Sequence, residues 1–261
     1  MRLSIVIPAY NEEKRIGKTL KEYVSFFEKA GKEKKLDYQI LVVINNTTDR
    51  TEQVVKQHQR KYKRIKYLNL KQGGKGFAII QGFKYSFNKN FDLIGFVDAD
   101  LATSPKEYWK LVEKIKGYDG AIADRYLPGA VIIPKFSFRR LIVSRVFNLL
   151  VRSLFFINCL DTQCGAKLFK KEAVRELIKE ITITQWAFDI DLLYTAKLKH
   201  FRIVSVPIIW REMSGGSLNI LKASIEMFFA IVQLRILKSP LRKSLKALKF
   251  LISLTYWIVK R

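Results

Sequence analysis

The sequence predicts an α/β protein in which a mostly parallel sheet is flanked by helices. Two observations support this prediction. Short apolar runs alternate with amphipathic segments over the first 125 residues, which is the pattern of repeated β-α-β units. The chain has 261 residues, of which 49% are hydrophobic, and this is enough to bury one sizeable core. We therefore expect one large domain, or one domain with an appendage.

The predicted strands are the short apolar runs themselves. They cover residues 3–8, 39–44, 65–70, 93–97 and 120–123. Helices fill the intervals, because apolar residues recur there at helical spacing. The first helix begins at about Glu12, the second and third span residues 49–62 and 76–87, and the fourth begins at Pro105. Proline is a residue type favoured in the first helical turn.

The pattern changes after residue 125. A loop leads into a basic, apolar helix over residues 138–158, and a compact unit with a strand at 203–207 occupies residues 161–211. From residue 217 onward the sequence predicts two amphipathic helices interrupted at Ser239-Pro240. We therefore divide the chain into a domain at residues 1–216, which includes the apolar helix (about 137–158), and a basic amphipathic tail at residues 217–261.

The charge of the chain is strongly positive: 48 Lys and Arg residues against 23 Asp and Glu residues give a net charge of +25. Such an excess attracts nucleic acid, anionic lipid or phosphorylated substrates, although a Lys-rich solvated surface gives the same number. No basic stripe with interleaved stacking aromatics is present, so we expect no nucleic-acid partner. The only cysteines are Cys159 and Cys164, which favour a reducing compartment over a disulfide framework.

Polar clusters follow three of the predicted strands: PAYNE at 8–12, NNTTD at 45–49 and DAD at 98–100. Ligands of open parallel sheets bind at the carboxyl ends of the strands, although each of the first two clusters alone is equally well explained as an ordinary turn. Asp98 and Asp100 follow a strand that should be interior. Carboxylates in this position favour a site for Mg²⁺ or Mn²⁺, which bridge a protein to substrate phosphates, although two residues capping a loop are the alternative.

Several motifs in this order resemble those of the inverting glycosyltransferases with the GT-A fold. They are SIVIPAYNEE at 4–13, GKG at 74–76 and FVDAD at 96–100. Two further motifs, DTQCGAKLF at 161–169 and WAFDIDLL at 186–193, resemble signatures of the polyprenyl-phosphate branch of that family. Together they are most similar to dolichyl-phosphate glucosyltransferases, with dolichyl-phosphate mannose synthases as near relatives. The resemblance covers roughly residues 3–219.

The resemblance implies a role for each matching residue. At the nucleotide it implies Pro8, Ala9, Tyr10, Glu12, Asn45 and Lys75. At the metal and the donor diphosphate it implies Asp98 and Asp100. Near the substrate phosphates and the acceptor it implies Arg125, Arg139, Arg140, Gln163, Lys167, Asp189 and Asp191. The catalytic set would then be Asp98, Asp100, Arg125 and Asp189.

One position departs from the family pattern. Most relatives carry an Asp-Asp-Gly-Ser run after the second strand, in which an Asp contacts the base, whereas this chain has Asn45-Asn46-Thr47. Asn45 can donate and accept hydrogen bonds but lacks the charge. The departure leaves the identity of the nucleotide undecided between UDP and GDP. It also leaves the alternative that this chain binds a nucleotide sugar without catalysing its transfer.

The role of Asp189 depends on the acceptor. An acceptor hydroxyl needs a general base within hydrogen-bonding reach, and Asp189 is the candidate. A phosphate monoester is already anionic and needs positioning by Arg or Lys rather than a base. In that case Asp189 and Asp191 would position sugar hydroxyls or the metal, unless they are solvent-facing residues of a helix at 188–199.

The apolar helix predicts contact with a membrane surface. No segment reaches the roughly 20 consecutive apolar residues that a spanning helix needs. The helix is apolar around nearly its whole circumference yet carries four arginines, which are poor candidates for full burial. We therefore expect it to lie in the interface with its arginines at the headgroups. Nine basic residues and one acidic residue in 219–261 would hold the tail at an anionic surface, although core packing is the alternative for both segments.

These observations predict a metal-dependent inverting glycosyltransferase that moves a hexose from UDP-glucose or GDP-mannose to a polyprenyl (dolichyl) phosphate. The resemblance favours glucose. The expected location is the cytoplasmic face of a membrane, with peripheral or monotopic attachment. Three alternatives stay open: mannose synthase-like transfer from GDP-mannose, transfer to a glycan hydroxyl with Asp189 as base, and nucleic-acid binding.

Overall fold

Four parallel strands form the N-terminal half of the sheet. In the computed structural model, which describes residues 1–182, 187–213 and 220–239, they are β1 (Arg2–Ala9), β2 (Asp37–Asn45), β3 (Ile65–Leu70) and β4 (Leu93–Val97). β1 pairs with β2 on one side and with β4 on the other, and β2 pairs with β3. Nearly every residue of β1 and β2 is buried, which explains why these strands are continuous apolar runs.

Four helices follow these strands and cover both faces of the sheet. They are α1 (Ile16–Lys34), α2 (Thr51–Lys61), α3 (Lys75–Asn88) and α4 (Pro105–Lys114). Residues of α1 and α4 share one apolar cluster with β1 and β2, whereas α3 packs in a second cluster on the other face. Pro105 opens α4 as predicted, and the Ser104 hydroxyl accepts a hydrogen bond from the Glu107 backbone N–H at 3.4 Å.

The C-terminal half extends the sheet with one antiparallel insertion. Its elements are β5 (Gly120–Asp124), β6 (Val131–Ile133), α5 (Phe138–Phe155), β7 (Ala166–Lys170), α6 (Lys171–Glu180), α7 (Phe188–Leu198), β8 (Ile203–Pro207), β9 (Ile209–Arg211) and α8 (Ile220–Leu237). β7 lies between β4 and β5 and is antiparallel to both, and β8 pairs with β5 in parallel. The order is therefore β3-β2-β1-β4-β7-β5-β8, with β6 and β9 as a separate parallel pair. The predicted mostly parallel α/β sheet is confirmed.

Three strands among the described residues are not predicted by the sequence: β6, β7 and β9. β7 contains two lysines in five residues, so it is not an apolar run. A hydrophobic pattern cannot predict that Lys167 is completely buried inside the sheet. β6 and β9 have three residues each, which is too short for a recognisable alternation. The predicted apolar helix ends at Phe155 rather than at residue 158, because Phe156 adopts a left-handed backbone conformation with φ of 53°.

The start of the predicted tail packs on the domain. In α8, Ile231 and Leu234 are completely buried in one cluster with Val151 and Phe155 of α5. Residues 240–261, which carry the second predicted tail helix, lie outside the described residues, as does Trp186 of the WAFDIDLL motif. Within the described ranges, no helix has the length and apolar character needed to cross a bilayer.

Gly95 marks the closest approach between β4 and the elements around it. A Cβ atom at this position would lie 2.3 Å from the Lys167 backbone oxygen and 2.3 Å from the Tyr108 hydroxyl. We therefore expect Gly95→Ala to lower the free energy of unfolding by about 1–3 kcal/mol, as overpacking does elsewhere. Urea unfolding measures this, with Lys84→Ala on the exposed side of α3 as the control. Equal unfolding midpoints for the two variants would contradict the tight packing.

Candidate active site

One cavity of about 470 Å³ lies at the carboxyl edge of the parallel strands. All three predicted polar clusters and the glycine turn before α3 contribute to it. Its lining residues are Pro8, Tyr10, Glu12, Asn45, Asn46, Gly73, Gly74, Lys75, Asp98, Ala99 and Asp100. Ala9 lies beneath the surface, where it is completely buried. The structure therefore brings together every residue that the sequence analysis places at the nucleotide and the metal, with Ala9 contributing its backbone.

Asp98 and Asp100 place two carboxylates at the end of β4. The Asp98 backbone N–H donates to the Gly165 carbonyl at 3.1 Å, and one Asp100 carboxylate oxygen accepts from the Ala102 N–H at 2.9 Å. Burial raises the pKa of Asp100, and the charge of Asp98 acts in the same direction. A cation beside these carboxylates would relieve both effects.

The donor set at this edge suits a hard divalent ion. Within the part of the chain that the structure describes, no group of three or more His, Cys, Asp or Glu side chains is placed to hold a metal. An ion at Asp98 and Asp100 would therefore complete its coordination with water or with oxygens of a bound ligand. Mg²⁺ and Mn²⁺ at phosphate-transfer sites bind in this way, through one or two carboxylates and substrate phosphates.

Glu12 adds a third carboxylate to the cavity. Arg15, at the start of the turn into α1, donates two hydrogen bonds of 2.7 Å to the Glu12 carboxylate. Burial raises the pKa of Glu12 and the charges of Asp98 and Asp100 raise it further, so that the pKa stays above its ordinary value despite Arg15. The sequence analysis did not single out Arg15, although its position three residues after Glu12 was a usable signal.

Lys75 is the cation closest to the predicted metal ligands. Its ammonium nitrogen lies 2.5 Å from one carboxylate oxygen of Asp98. Burial lowers the pKa of Lys75, but the charges of Asp98 and Asp189 outweigh it and hold the pKa above its ordinary value. Lys75 is the first residue of α3, and no side chain caps that helix. The cavity thus contains a helix N-terminus, which favours anions, with a lysine beside it.

Asn45 holds the glycine turn against the end of β1. Its side-chain NH₂ group donates to the Ala9 carbonyl at 3.0 Å, and its side-chain oxygen accepts from the Gly74 N–H at 3.0 Å. A carboxylate could accept from Gly74 but could not donate to Ala9. The uncharged residue at this position therefore fixes two backbone segments of the cavity, a role that the sequence analysis did not predict.

Asp189 and Lys167 form a buried ion pair behind the cavity. The Lys167 ammonium donates to Asp189 at 2.5 Å and to the Cys164 carbonyl at 2.7 Å. Lys167 is completely buried and Asp189 nearly so. Gly165, in the turn before β7, lies so close to Asp98 that a Cβ atom would be 1.8 Å from its carboxylate. The DTQCGAKLF motif thus packs against Asp98, one of the predicted metal ligands. Lys167 contacts a protein carboxylate, whereas the resemblance implied a substrate phosphate.

Asp191 does not face the cavity. It follows Asp189 by two residues on α7, which places the two side chains on nearly opposite sides of the helix. The Asp191 carboxylate accepts from the Thr182 backbone N–H at 2.7 Å and from the Thr195 hydroxyl at 3.1 Å, and the Lys238 ammonium lies 3.1 Å away. The residue therefore connects α7 to the end of α8 and does not line the cavity, and its acceptor role stays a prediction.

Arg125 is held in a separate aromatic enclosure. Its guanidinium forms two hydrogen bonds to Asp161, at 2.6 and 2.9 Å, and lies 5.2 Å from the centre of the Trp210 ring. Burial raises the pKa of Asp161, but Arg125 outweighs it and holds the pKa below its ordinary value. Gln163 donates its backbone N–H to the same carboxylate at 3.2 Å. The structure does not bring Arg125 or Gln163 into the wall of the cavity.

Arg140, near the start of α5, is held by an acidic and an aromatic residue. Arg140 pairs with Glu212, and its guanidinium lies 4.2 Å from the centre of the Phe136 ring. The Arg125 guanidinium lies 6.0 Å from the same ring. The side chain of Arg139 lies outside the described residues. The acceptor-phosphate role of these arginines stays a prediction.

Arg125→Met removes the partner of a completely buried carboxylate. In the wild type the lowered pKa of Asp161 contributes stability above the ordinary Asp pKa, and this contribution is lost as the pH falls through the lowered value. In the variant, burial raises the pKa of Asp161 instead. We expect a loss of about 3–5 kcal/mol at pH 7 that diminishes toward pH 5, measured by urea unfolding.

The double variant Arg125→Met/Asp161→Asn serves as the matched comparison, because it removes both charges. It should recover most of the lost stability at pH 7 and show little pH dependence. A loss in the single variant that is equal at pH 5 and pH 8 would contradict the buried ion pair.

Comparison with known proteins gives the family and close relatives. Residues 4–178 match the family model described as glycosyl transferase family 2. The chain is 34% identical to the dolichyl-phosphate beta-glucosyltransferase of Dictyostelium discoideum, over 89% of this chain and 73% of that protein. It is 32% identical to the protein of the same name from Homo sapiens, over 83% of this chain and 69% of that protein.

Solved structures confirm the GT-A fold. Glucosyl-3-phosphoglycerate synthase from Mycobacterium tuberculosis in complex with UDP superposes with a TM-score of 0.65 and 17% identity, over 89% of this chain and 79% of that chain. The same synthase with Mn²⁺, UDP and glucosyl-3-phosphoglycerate gives a TM-score of 0.60 at 15% identity, over 88% and 78%. The family model covers most of β1, all of β2 to β7, and every residue that lines the cavity. The sequence match and the fold agree, and this chain belongs to glycosyl transferase family 2.

Proposed function

We propose that this protein transfers glucose from UDP-glucose to dolichyl phosphate at a membrane surface, with inversion at the anomeric carbon. The relatives named dolichyl-phosphate beta-glucosyltransferase support the sugar and the acceptor. The UDP complexes of the structural relatives support the nucleotide. The observation that carries the proposal is the convergence of Asp98, Asp100, Lys75 and the uncapped start of α3 on one cavity.

The cavity has the size and polarity for a nucleotide sugar. Its volume of about 470 Å³ lies within the usual range for small-molecule sites, roughly 300–1,000 Å³. In this proposal Pro8, Tyr10 and Glu12 line the base and ribose, and the diphosphate lies between the start of α3 and Asp98. The free backbone N–H groups and the dipole of a helix N-terminus favour an anion there.

Asp98 and Asp100 would hold Mg²⁺ or Mn²⁺, which neutralises the diphosphate as its bond to the sugar breaks. Lys75 places a further positive charge at the same point. Arg15 keeps the Glu12 carboxylate in a fixed orientation through two hydrogen bonds. The chain therefore supplies charge and positioning around the leaving group, and no covalent enzyme intermediate is needed.

The acceptor is proposed to be a phosphate because the Asp189 carboxylate is bound in an ion pair with Lys167. An oxygen of the acceptor phosphate attacks the anomeric carbon, the bond to the β-phosphate oxygen of UDP breaks, and UDP leaves with the electron pair. A phosphate monoester is already anionic and loses no proton in this step. Asp189, the candidate base for a hydroxyl acceptor, is bound instead to the buried Lys167 ammonium at 2.5 Å and does not line the cavity.

Membrane contact is proposed through the outer face of α5. Phe138 is 76% exposed, and Ile142, Val146 and Leu149 follow it on the same side of the helix and are also exposed. The opposite side of α5 packs in the core through Val151 and Phe155. Exposed apolar residues on β6 and α8 add to the same kind of surface: Val131, Ile133, Phe228 and Phe229. Together with the net charge of +25, this apolar surface suits an anionic bilayer.

The reaction is tested by a radiolabel transfer assay with the purified full chain, dolichyl phosphate in detergent, and Mg²⁺ or Mn²⁺. We expect label from UDP-glucose to enter the lipid phase and EDTA to abolish the transfer, because the carboxylate pair needs the metal to stabilise the leaving diphosphate. Label from GDP-mannose instead would identify a mannosyltransferase. An absence of lipid label from both donors, despite nucleotide binding, would contradict the lipid-phosphate acceptor.

Asp98→Asn and Asp100→Asn should each lower turnover by about 100-fold or more, the usual cost of removing a group that stabilises the transition state. Their unfolding transitions should stay close to that of the wild type. Glu172→Gln on the exposed face of α6 removes one carboxylate away from the cavity and should leave turnover unchanged. Wild-type rates in both Asp variants would remove the metal site from the proposal.

The membrane face is tested by Val146→Glu/Leu149→Glu. The two charges on the exposed side of α5 should shift the protein from anionic vesicles into the supernatant in a sedimentation assay. The matched control is Gln53→Glu/Gln57→Glu on α2, which makes the same change in net charge at two exposed positions. If both pairs reduce vesicle binding equally, net charge rather than the apolar face of α5 holds the protein there.

A further inference from the structure

Lys75 is bound to the carboxylate that the proposed metal would use. The distance from its ammonium nitrogen to the Asp98 oxygen is 2.5 Å, which is contact distance for a charged hydrogen bond. A divalent ion at Asp98 would bring its own charge to within a few ångströms of this ammonium. The two cations therefore repel each other, and they compete for the same oxygen atoms.

The surrounding charges make Lys75 the exchangeable cation of the cluster. Arg15 is bound to Glu12 through two hydrogen bonds, and Lys167 is bound to Asp189 in a completely buried pair. Lys75, in contrast, keeps 42% of its side chain exposed. It can exchange Asp98 for another anion without leaving a buried charge unpaired.

Asn45 holds the backbone beneath Lys75 in place. Asn45 binds the Gly74 N–H and the Ala9 carbonyl, so that the start of α3 stays fixed against β1. A lysine at a helix N-terminus is disfavoured by the helix dipole, whereas an anion there is favoured. A diphosphate at the start of α3 would therefore attract the Lys75 ammonium and release the Asp98 carboxylate.

We propose that Lys75 occupies Asp98 in the absence of donor and makes metal binding conditional on the nucleotide diphosphate. This inference rests on the metal site and the donor pose of the proposed function. Lys75 is a positioning residue in this scheme: the free enzyme binds the metal weakly, and the diphosphate draws Lys75 away so that metal and donor bind together. By thermodynamic linkage the metal must strengthen nucleotide binding by the same factor.

The test measures Mn²⁺ binding to the full chain without nucleotide, from the free Mn²⁺ signal in electron paramagnetic resonance. Lys75→Met should bind Mn²⁺ more tightly than the wild type by about 5–150-fold, the usual range of coupling between two sites. UDP affinity is then measured by calorimetry with and without saturating Mn²⁺. The enhancement by Mn²⁺ should be smaller in Lys75→Met than in the wild type, because only the direct contact between metal and diphosphate then couples the two ligands.

Two variants control this comparison. Lys75→Arg keeps the positive charge and should retain both the weak binding of free Mn²⁺ and the enhancement. Lys71→Met removes an exposed lysine outside the cavity lining and should behave as the wild type. If Lys75→Met is folded by circular dichroism and binds Mn²⁺ no more tightly than the wild type, the inference is wrong.

Asp98→Asn separates this outcome from a failure of the proposed function. It should bind Mn²⁺ poorly with or without UDP, since it lacks a metal ligand. Wild-type Mn²⁺ binding by Asp98→Asn in the presence of UDP would show that the metal lies elsewhere, and the metal site itself would then be wrong. Weak Mn²⁺ binding by Asp98→Asn in the presence of UDP, together with wild-type binding of free Mn²⁺ by Lys75→Met, would retain the metal site and overturn only the role of Lys75.

Discussion

The structure depends on the compensation of negative charge at the carboxyl edge of the sheet. Parallel strands end on one side, so the turn after β1 and the end of β4 bring Glu12, Asp98 and Asp100 into one cavity. There burial raises the pKa of Glu12 and of Asp100, and the charge of Asp98 raises both further. Arg15 and Lys75 balance this charge from the two neighbouring helix starts. The proposed binding site for a cation and a diphosphate is thus a consequence of the topology as much as of any single residue.

The residues that contact the cavity directly were predictable, whereas the residues that support them were not. Asp98 and Asp100 adjoin an apolar strand in the sequence, so their position follows from local pattern and strand polarity. The pairs Lys167–Asp189 and Arg125–Asp161 join residues that are 22 and 36 positions apart, on elements whose proximity only the folded chain defines. β7 was missed for the same reason: Lys167, its second residue, is buried in an ion pair with Asp189. Sequence patterns predict which apolar groups are buried, but they do not predict which charged groups are buried in pairs.

The apolar helix shows how two opposed interpretations of a sequence can both hold. Apolar residues around the whole circumference of α5 suggested either burial or contact with lipid. The structure assigns each to a different side: Val151 and Phe155 lie in the core, whereas Phe138 and Leu149 are exposed. Helical periodicity alone could not separate these sides, because both are apolar. What separates them is the packing of α8, which covers one side of α5 and leaves the other open.

The antiparallel direction of β7 has a consequence for synthesis of the chain on the ribosome. β4 pairs on one side with β1, which is made before it, and on the other side with β7, whose last residue is Lys170. At roughly 5–20 residues per second, several seconds pass between the emergence of β4 and that of β7. During this interval the emerging chain exposes an unpaired strand edge, and Asp98 lacks the turn around Gly165 that later encloses it. This edge of the sheet is therefore completed only after β7 has been made.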